Sequence, residues 1–196
     1  MPAFGSIGGA VSGNRGAAMR LGKQNLRACP ESIKILLKVL GAIVAFLVVA
    51  LLVLRITGLA PHGRIPGLWL KGDLVTAPVT DWSFTDNVET VKVQTNTSYL
   101  LPHSVTTYCV AYKGQLYLTS VYPAGIVYPN GRNWNANVAR DPHVRIKIGN
   151  NVYDRVLSYV TDPAEHSSVL EMKRKKYPKQ VIAPNATVNE FHVLDK

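Results

Sequence analysis

A small, mainly β barrel with short helices, set behind a single N-terminal transmembrane helix, is the fold class the sequence predicts. Three observations predict it: an uncharged apolar run from Val39 to Leu54, a downstream series of segments alternating apolar and polar residues, and glycine-bearing short turns between neighbouring segments. The chain has 196 residues. That is room for one anchor and one domain of about 130 residues, and no second core.

The run Val39–Leu54 reads VLGAIVAFLVVALLVL, and Ile33–Leu37 extends it backwards through Lys34 and Lys38. Its 16 residues span a little less than a hydrocarbon core of about 30 Å, but lysines near the end reach the headgroups along their own stems. The usable span is then Ile35 to Leu59. A helix apolar on every face would need a large core around it in water, and this chain cannot supply one. A cleaved signal peptide fits less well, because the stretch ahead of the run is too long for a signal's positive region. Arg15, Arg20, Lys23, Arg27, Lys34 and Lys38 precede the span, while Arg55, Arg64 and Lys71 follow it at comparable range. That bias places the N-terminus in the cytoplasm and the domain outside. The expected organisation is a flexible Gly-rich basic cytoplasmic segment at 1–32, the transmembrane helix at 33–59, a linker at 60–79, and the barrel domain at 80–196.

The 22 Lys and Arg exceed the 12 Asp and Glu, giving +10. Residues 1–55 hold seven bases and one acid (+6), and residues 56–196 hold fifteen and eleven (+4). The excess ahead of the apolar run suits anionic lipid, and the domain lacks the basic stripe interleaved with aromatics that nucleic acid requires. Cys29 and Cys109 fall on opposite sides of the proposed membrane, so they cannot pair within one chain. The five histidines, His62, His103, His143, His166 and His192, show no metal-ligand spacing.

Alternation marks strands at Glu89–Thr95, Ser104–Tyr112, Gln115–Val121, His143–Ile148 and Val152–Thr161. Lys113-Gly114 joins the second and third as a two-residue hairpin, and Gly149-Asn150-Asn151 joins the last two. Asn133–Arg140 (NWNANVAR), with apolar residues at 134 and 138 and a stop at Asp141-Pro142, reads as a short helix. Asp162-Pro163 caps a second helix running to Tyr177. Glu165 at its start and Lys173, Arg174, Lys175 and Lys176 at its end suit the helix dipole, so KRKK reads as a helix end and solvated face. Val188–Leu194 is a last strand. Antiparallel hairpins with helices at two connections give a small barrel, the helices plugging or flanking it.

The residues QLYLTS (115–120), Arg132-Asn133-Trp134, Asn137-Val138, Asp141-Pro142-His143-Val144-Arg145 and Tyr153, in that order of strand, helix, strand and hairpin, resemble the split β-barrel flavin-binding superfamily. That group includes pyridoxamine phosphate oxidase and, with a Trp opening the short helix, the deazaflavin-dependent nitroreductases. The resemblance covers residues 80–165. It implies a cofactor, FMN or a deazaflavin, lying along the barrel with its phosphate near the end of Gln115–Val121 and the start of the short helix. Thr119, Ser120, Arg132 and Asn133 are then phosphate-side candidates, and His103, Ser104, Thr106, Trp134 and Asn137 complete the expected cofactor-binding set. Trp134 is open between a core plug and a stacking platform. It stands where the flavin-binding oxidases place a phosphate-contacting lysine, which leaves open a barrel with no cofactor. The loop Tyr122–Gly131 can cover a cofactor or fill its place.

Two functions compete. One is a membrane-anchored flavin- or deazaflavin-dependent oxidoreductase, like the nitroreductases and quinone reductases, working near the membrane surface. The other is a non-catalytic accessory or assembly subunit of a membrane complex. A haem-binding variant, with His103 as ligand, stands behind both. The resemblance also implies a homodimer and a bacterial inner membrane with a periplasmic domain. The lipid bilayer is the one partner the sequence itself names.

Overall fold

The computed structural model describes residues 31–196; the stretch 1–30, with Cys29 and most of the expected Gly-rich segment, lies outside the described residues. Helix α1, Glu31–Thr57, is long and apolar enough to cross a membrane, and none of its residues is buried. Lys34 pairs with Glu31 at 2.9 Å at its first turn, and Arg55 lies in its last turn.

The remaining chain builds a closed sheet. In chain order it contains β1 (Asp73–Leu74), a 3-10 turn (Ser83–Asn87), β2 (Thr90–Thr95), β3 (His103–Tyr112), β4 (Gln115–Tyr122), α2 (Asn133–Arg140), β5 (His143–Ile148), β6 (Asn151–Tyr159), α3 (Pro163–Lys176) and β7 (Thr187–Leu194). The strand order is β1-β6-β5-β2-β3-β4-β7, and β6 pairs again with β7. Six strands from β2 to β7 therefore close on themselves, while β1 adds to β6 in parallel. Closure leaves these six strands without a free edge. Every strand and helix expected from the sequence forms, with ends displaced by two residues at most. The stretch expected as linker holds more order than its Pro/Gly punctuation suggested: Leu70 is buried, and β1 pairs with Asn151 and Val152.

Period-2 alternation decides what faces inward. Val91, Val93, Cys109, Leu116, Leu118, Val144, Ile146, Tyr153, Phe191 and Val193 fill the barrel, with Trp82 and Trp134 among them. The β3–β4 hairpin turns at Lys113 (φ 51°) and Gly114 (φ 77°), the paired positive dihedrals that match strand twist. Helix α2 closes one end through Trp134, whose ring centroid lies 5.0 Å from that of Phe191. Helix α3 packs outside the wall, with Val169 on Tyr117 and Val160. Asp162 caps it, accepting from Ala164 N and Glu165 N, both at 3.2 Å, with Pro163 at the first helical position.

Candidate functional site

The end of β4 and the start of α2, distant by ten residues of loop, meet through Arg132. Its Nη2 donates to Val121 O at 3.2 Å, and its guanidinium sits 5.8 Å from the Tyr122 ring centroid. Arg132 and Asn133 are exposed. Asn135 N and Ala136 N donate to Arg132 O. The earlier amides of α2 have no partner inside the helix, as at any helix start. A cation and a helix N-terminus therefore share one surface at the strand end, a donor set that suits a phosphate.

The other expected residues divide between two faces of the wall. Thr119 and Ser120 are adjacent, so alternation sends them to opposite sides. Thr119 lies outward with Tyr117, fully enclosed beneath α3, and its Oγ1 accepts from Lys173 Nζ at 2.6 Å. Ser120 is buried opposite Asn189 of β7. Ser104 and Thr106 share the outward register of β3. Ser104 is buried where Gly67 bridges to it, its hydroxyl without a partner among the described residues.

His103 shares the inward register with Val105 and Cys109 and lies opposite Thr95. Thr95 Oγ1 donates to His103 O at 3.1 Å, and Asn137 Nδ2 donates to Thr95 Oγ1 at 3.0 Å. His103 and Asn137 are thus brought together by a buried threonine. Burial holds the His103 imidazole below the usual histidine value, so its neutral form dominates at neutral pH, and Nδ1 has no partner among the described residues. Trp134 packs as a core plug. The loop after β4 lays Tyr128 on Tyr159, centroids 4.3 Å apart and planes 3° from parallel.

Sequence reasoning missed the most unusual chemistry. Lys173 and Glu190 are both fully buried between α3 and the wall, with Glu190 opposite Thr119. Burial lowers the Lys173 ammonium to about 8 and raises the Glu190 carboxyl to about 8, each effect exceeding the pull of the other's charge. Reading KRKK as a solvated face therefore needs correction: Arg174 and Lys175 are exposed, but Lys176 is half-buried, donating to Thr85 O at 2.7 Å and Cys109 O at 2.9 Å. The signal was present in the spacing, since Lys173 lies four residues after Val169 and so on its buried face. Burial also raises the Cys109 thiol, which keeps it protonated and inert.

Cavities among the described residues lie elsewhere. One of about 640 Å3 runs between the 3-10 turn and the end of α3, with Asp86, Glu89, Tyr108, Lys176 and Tyr177 in its wall. Another, about 210 Å3, lies beside Arg55, Trp69, Gln94 and Leu100. Neither is lined by any of the nine expected cofactor residues.

No sequence-family model matches the chain, and no curated protein matches it. Among solved structures it is similar to a NimC/NimA family protein from Clostridium acetobutylicum at 14% identity and TM-score 0.40, covering 54% of this chain and 73% of that one. It is similar to a protein from Listeria innocua, provisionally a pyridoxamine 5'-phosphate oxidase, at 16% identity and TM-score 0.40, with 57% and 88% covered. It is also similar to an F420-H2 dependent reductase at 20% identity and TM-score 0.39, with 54% and 94% covered. The strand pairing itself supplies the fold: a mainly β barrel, closed through six strands and preceded by an apolar helix.

Proposed function

We propose that this chain is a membrane-tethered oxidoreductase that holds FMN or a deazaflavin by its phosphate at the β4–α2 junction and serves an acceptor near the bilayer. Arg132 carries the reading, because it sets an exposed guanidinium on the end of β4 beside open amides of α2. Such a cofactor supplies the electron or hydride transfer when bound; the protein orients it and excludes water. Arg132 and Asn133 would hold the phosphate, and His103 could hold a proton at Nδ1. Helix α1, exposed along its length, is the tether, with the N-terminus cytoplasmic and the barrel periplasmic.

The test is the absorbance spectrum of the detergent-solubilised full chain, as purified and after adding FMN or a deazaflavin. Micromolar binding is expected, weakened about tenfold or more by Arg132→Gln, since a hydrogen bond to a charged group is worth roughly 1.5–3 kcal/mol. A colourless protein that takes up neither cofactor would sink the reading. A non-catalytic accessory subunit is the second reading, favoured by Thr119, whose hydroxyl is already held by Lys173, and by Tyr128, which packs on Tyr159. Stoichiometric partner chains retained in mild detergent, with no chromophore, would favour that reading.

A further inference from the structure

The 210 Å3 cavity beside Arg55 adjoins the end of the apolar helix, and the chain there is tightly fixed. Gly58 N donates to Leu54 O, Leu59 N to Trp69 O and Leu68 N to Leu59 O, all at 2.8–2.9 Å. Gly67 N then donates to Ser104 O at 2.8 Å. A side chain at Gly67 would sit 2.2 Å from Leu59 O, so only glycine permits this approach. The helix end is therefore pinned to the start of β3, and the loop 96–102 just before β3 is held on the same side.

That loop is shaped by Thr97, whose hydroxyl bonds to Tyr99 O and Leu101 O. The turn thrusts Leu100 outward, 100% exposed, with Tyr99 at 64%. A leucine held fully open at a loop tip gains nothing in water and gains apolar burial in the interfacial layer of a bilayer. Behind it the cavity is lined by Arg55, Trp69 and Gln94, whose Oε1 is committed to Leu70 N at 2.7 Å. Among the described residues, no carboxylate lines it. Asn96 on its rim is tied to Asp141 at 2.8 Å and to Arg140.

We propose that this cavity binds the phosphate of an anionic phospholipid headgroup. Arg55 forms the charge-assisted contact, and Leu100, Tyr99 and Trp69 enter the interface around it. The assignment rests on α1 being the tether. A lipid, and not a free anion, is the occupant because Arg55 lies in the last turn of the apolar helix and shares the cavity with the exposed Leu100 and Tyr99.

The test places the full chain in vesicles with a small fraction of brominated lipid, carried either on phosphatidylglycerol or on phosphatidylcholine. Trp82 and Trp134 are 2% and 4% exposed, so bromine quenching reports mainly on Trp69. Brominated phosphatidylglycerol is expected to quench with about fivefold higher apparent affinity, the effect of one basic side chain at an anionic surface. Arg55→Gln should equalise the two lipids, and Arg55→Lys should keep the preference. Equal quenching in the wild type, or a preference that survives Arg55→Gln, overturns the proposal. So does loss of the preference on adding inorganic phosphate, which would assign the cavity to the free anion. Carbonate washing separates the two readings: a chain stripped from the vesicles loses the tether as well, while one that stays without lipid preference loses only this site.

Discussion

Lys173 and Glu190 are the residues at which pH should act most strongly on stability. Glu190 sits fully enclosed with neither carboxyl oxygen hydrogen-bonded among the described residues, and burial raises it from 4.5 to about 8. Its folded state holds the proton more tightly than the unfolded chain does. The stability this gives is full below the unfolded value and is lost as pH climbs from 4.5 towards 8. Lys173 acts in the opposite sense. With its value lowered from 10.5 to about 8, it binds protons less well folded than unfolded, so stability recovers as pH rises from 8 towards 10.5. The melting temperature should therefore pass through a minimum near pH 8, and Glu190→Gln should flatten the fall on its acid side. Melting curves at pH 5.5, 8 and 10 check this; a Glu190→Gln protein with an unchanged acid limb would refute it. The sequence concealed the pair because its members are 17 residues apart on different elements. Only the register of β7 over β4 and the roll of α3 bring Glu190 and Lys173 onto one enclosed face.

At the scale of elements, short local signals were enough. Asp141-Pro142 ends α2, Asp162-Pro163 starts α3, and Lys113-Gly114 turns the hairpin, each acting through backbone chemistry within a few residues. Asp162→Ala should cost about 1 kcal/mol of stability through loss of the cap. Trp134→Ala should cost about 3–5 kcal/mol, because it removes the plug from one end of the barrel and leaves Phe191 facing a void. Denaturant titration of both variants measures these, and a Trp134→Ala cost below that of Asp162→Ala would contradict the plug. Non-local elements were harder to read. β1 is two residues long and exists only because it meets β6 in parallel. The residues expected at a cofactor fall on two faces of the wall, and that partition was not legible. Alternation alone separates Thr119 from Ser120, yet the sequence did not say that α3 would cover the outward one. Arg132 meets the end of β4 because a loop of ten residues can return it to the strand end it left.

Across the whole molecule, the question is what covers α1. Its large apolar side chains stay open from Ile33 to Ile56, with Phe46 72% exposed and Ile56 76%. So much contiguous apolar surface, all on one helix, cannot persist in water. The barrel, in contrast, closes its sheet through β2 to β7 and fills its core with residues that follow α1, with the stretch from Leu59 to Gly67 bonded to it through Ser104. The two parts therefore have opposite solvent demands, and removing one should leave the other's demand unchanged. A chain beginning at residue 58 should fold as a detergent-free soluble β protein, while the full chain should remain with membranes through carbonate and high salt. Fractionation of both forms, with circular dichroism on the shorter one, reads the result. A full chain released by carbonate would mean that another protein surface, and not lipid, covers α1. A shorter chain that aggregates would mean that the barrel depends on α1 for more than its place in the cell.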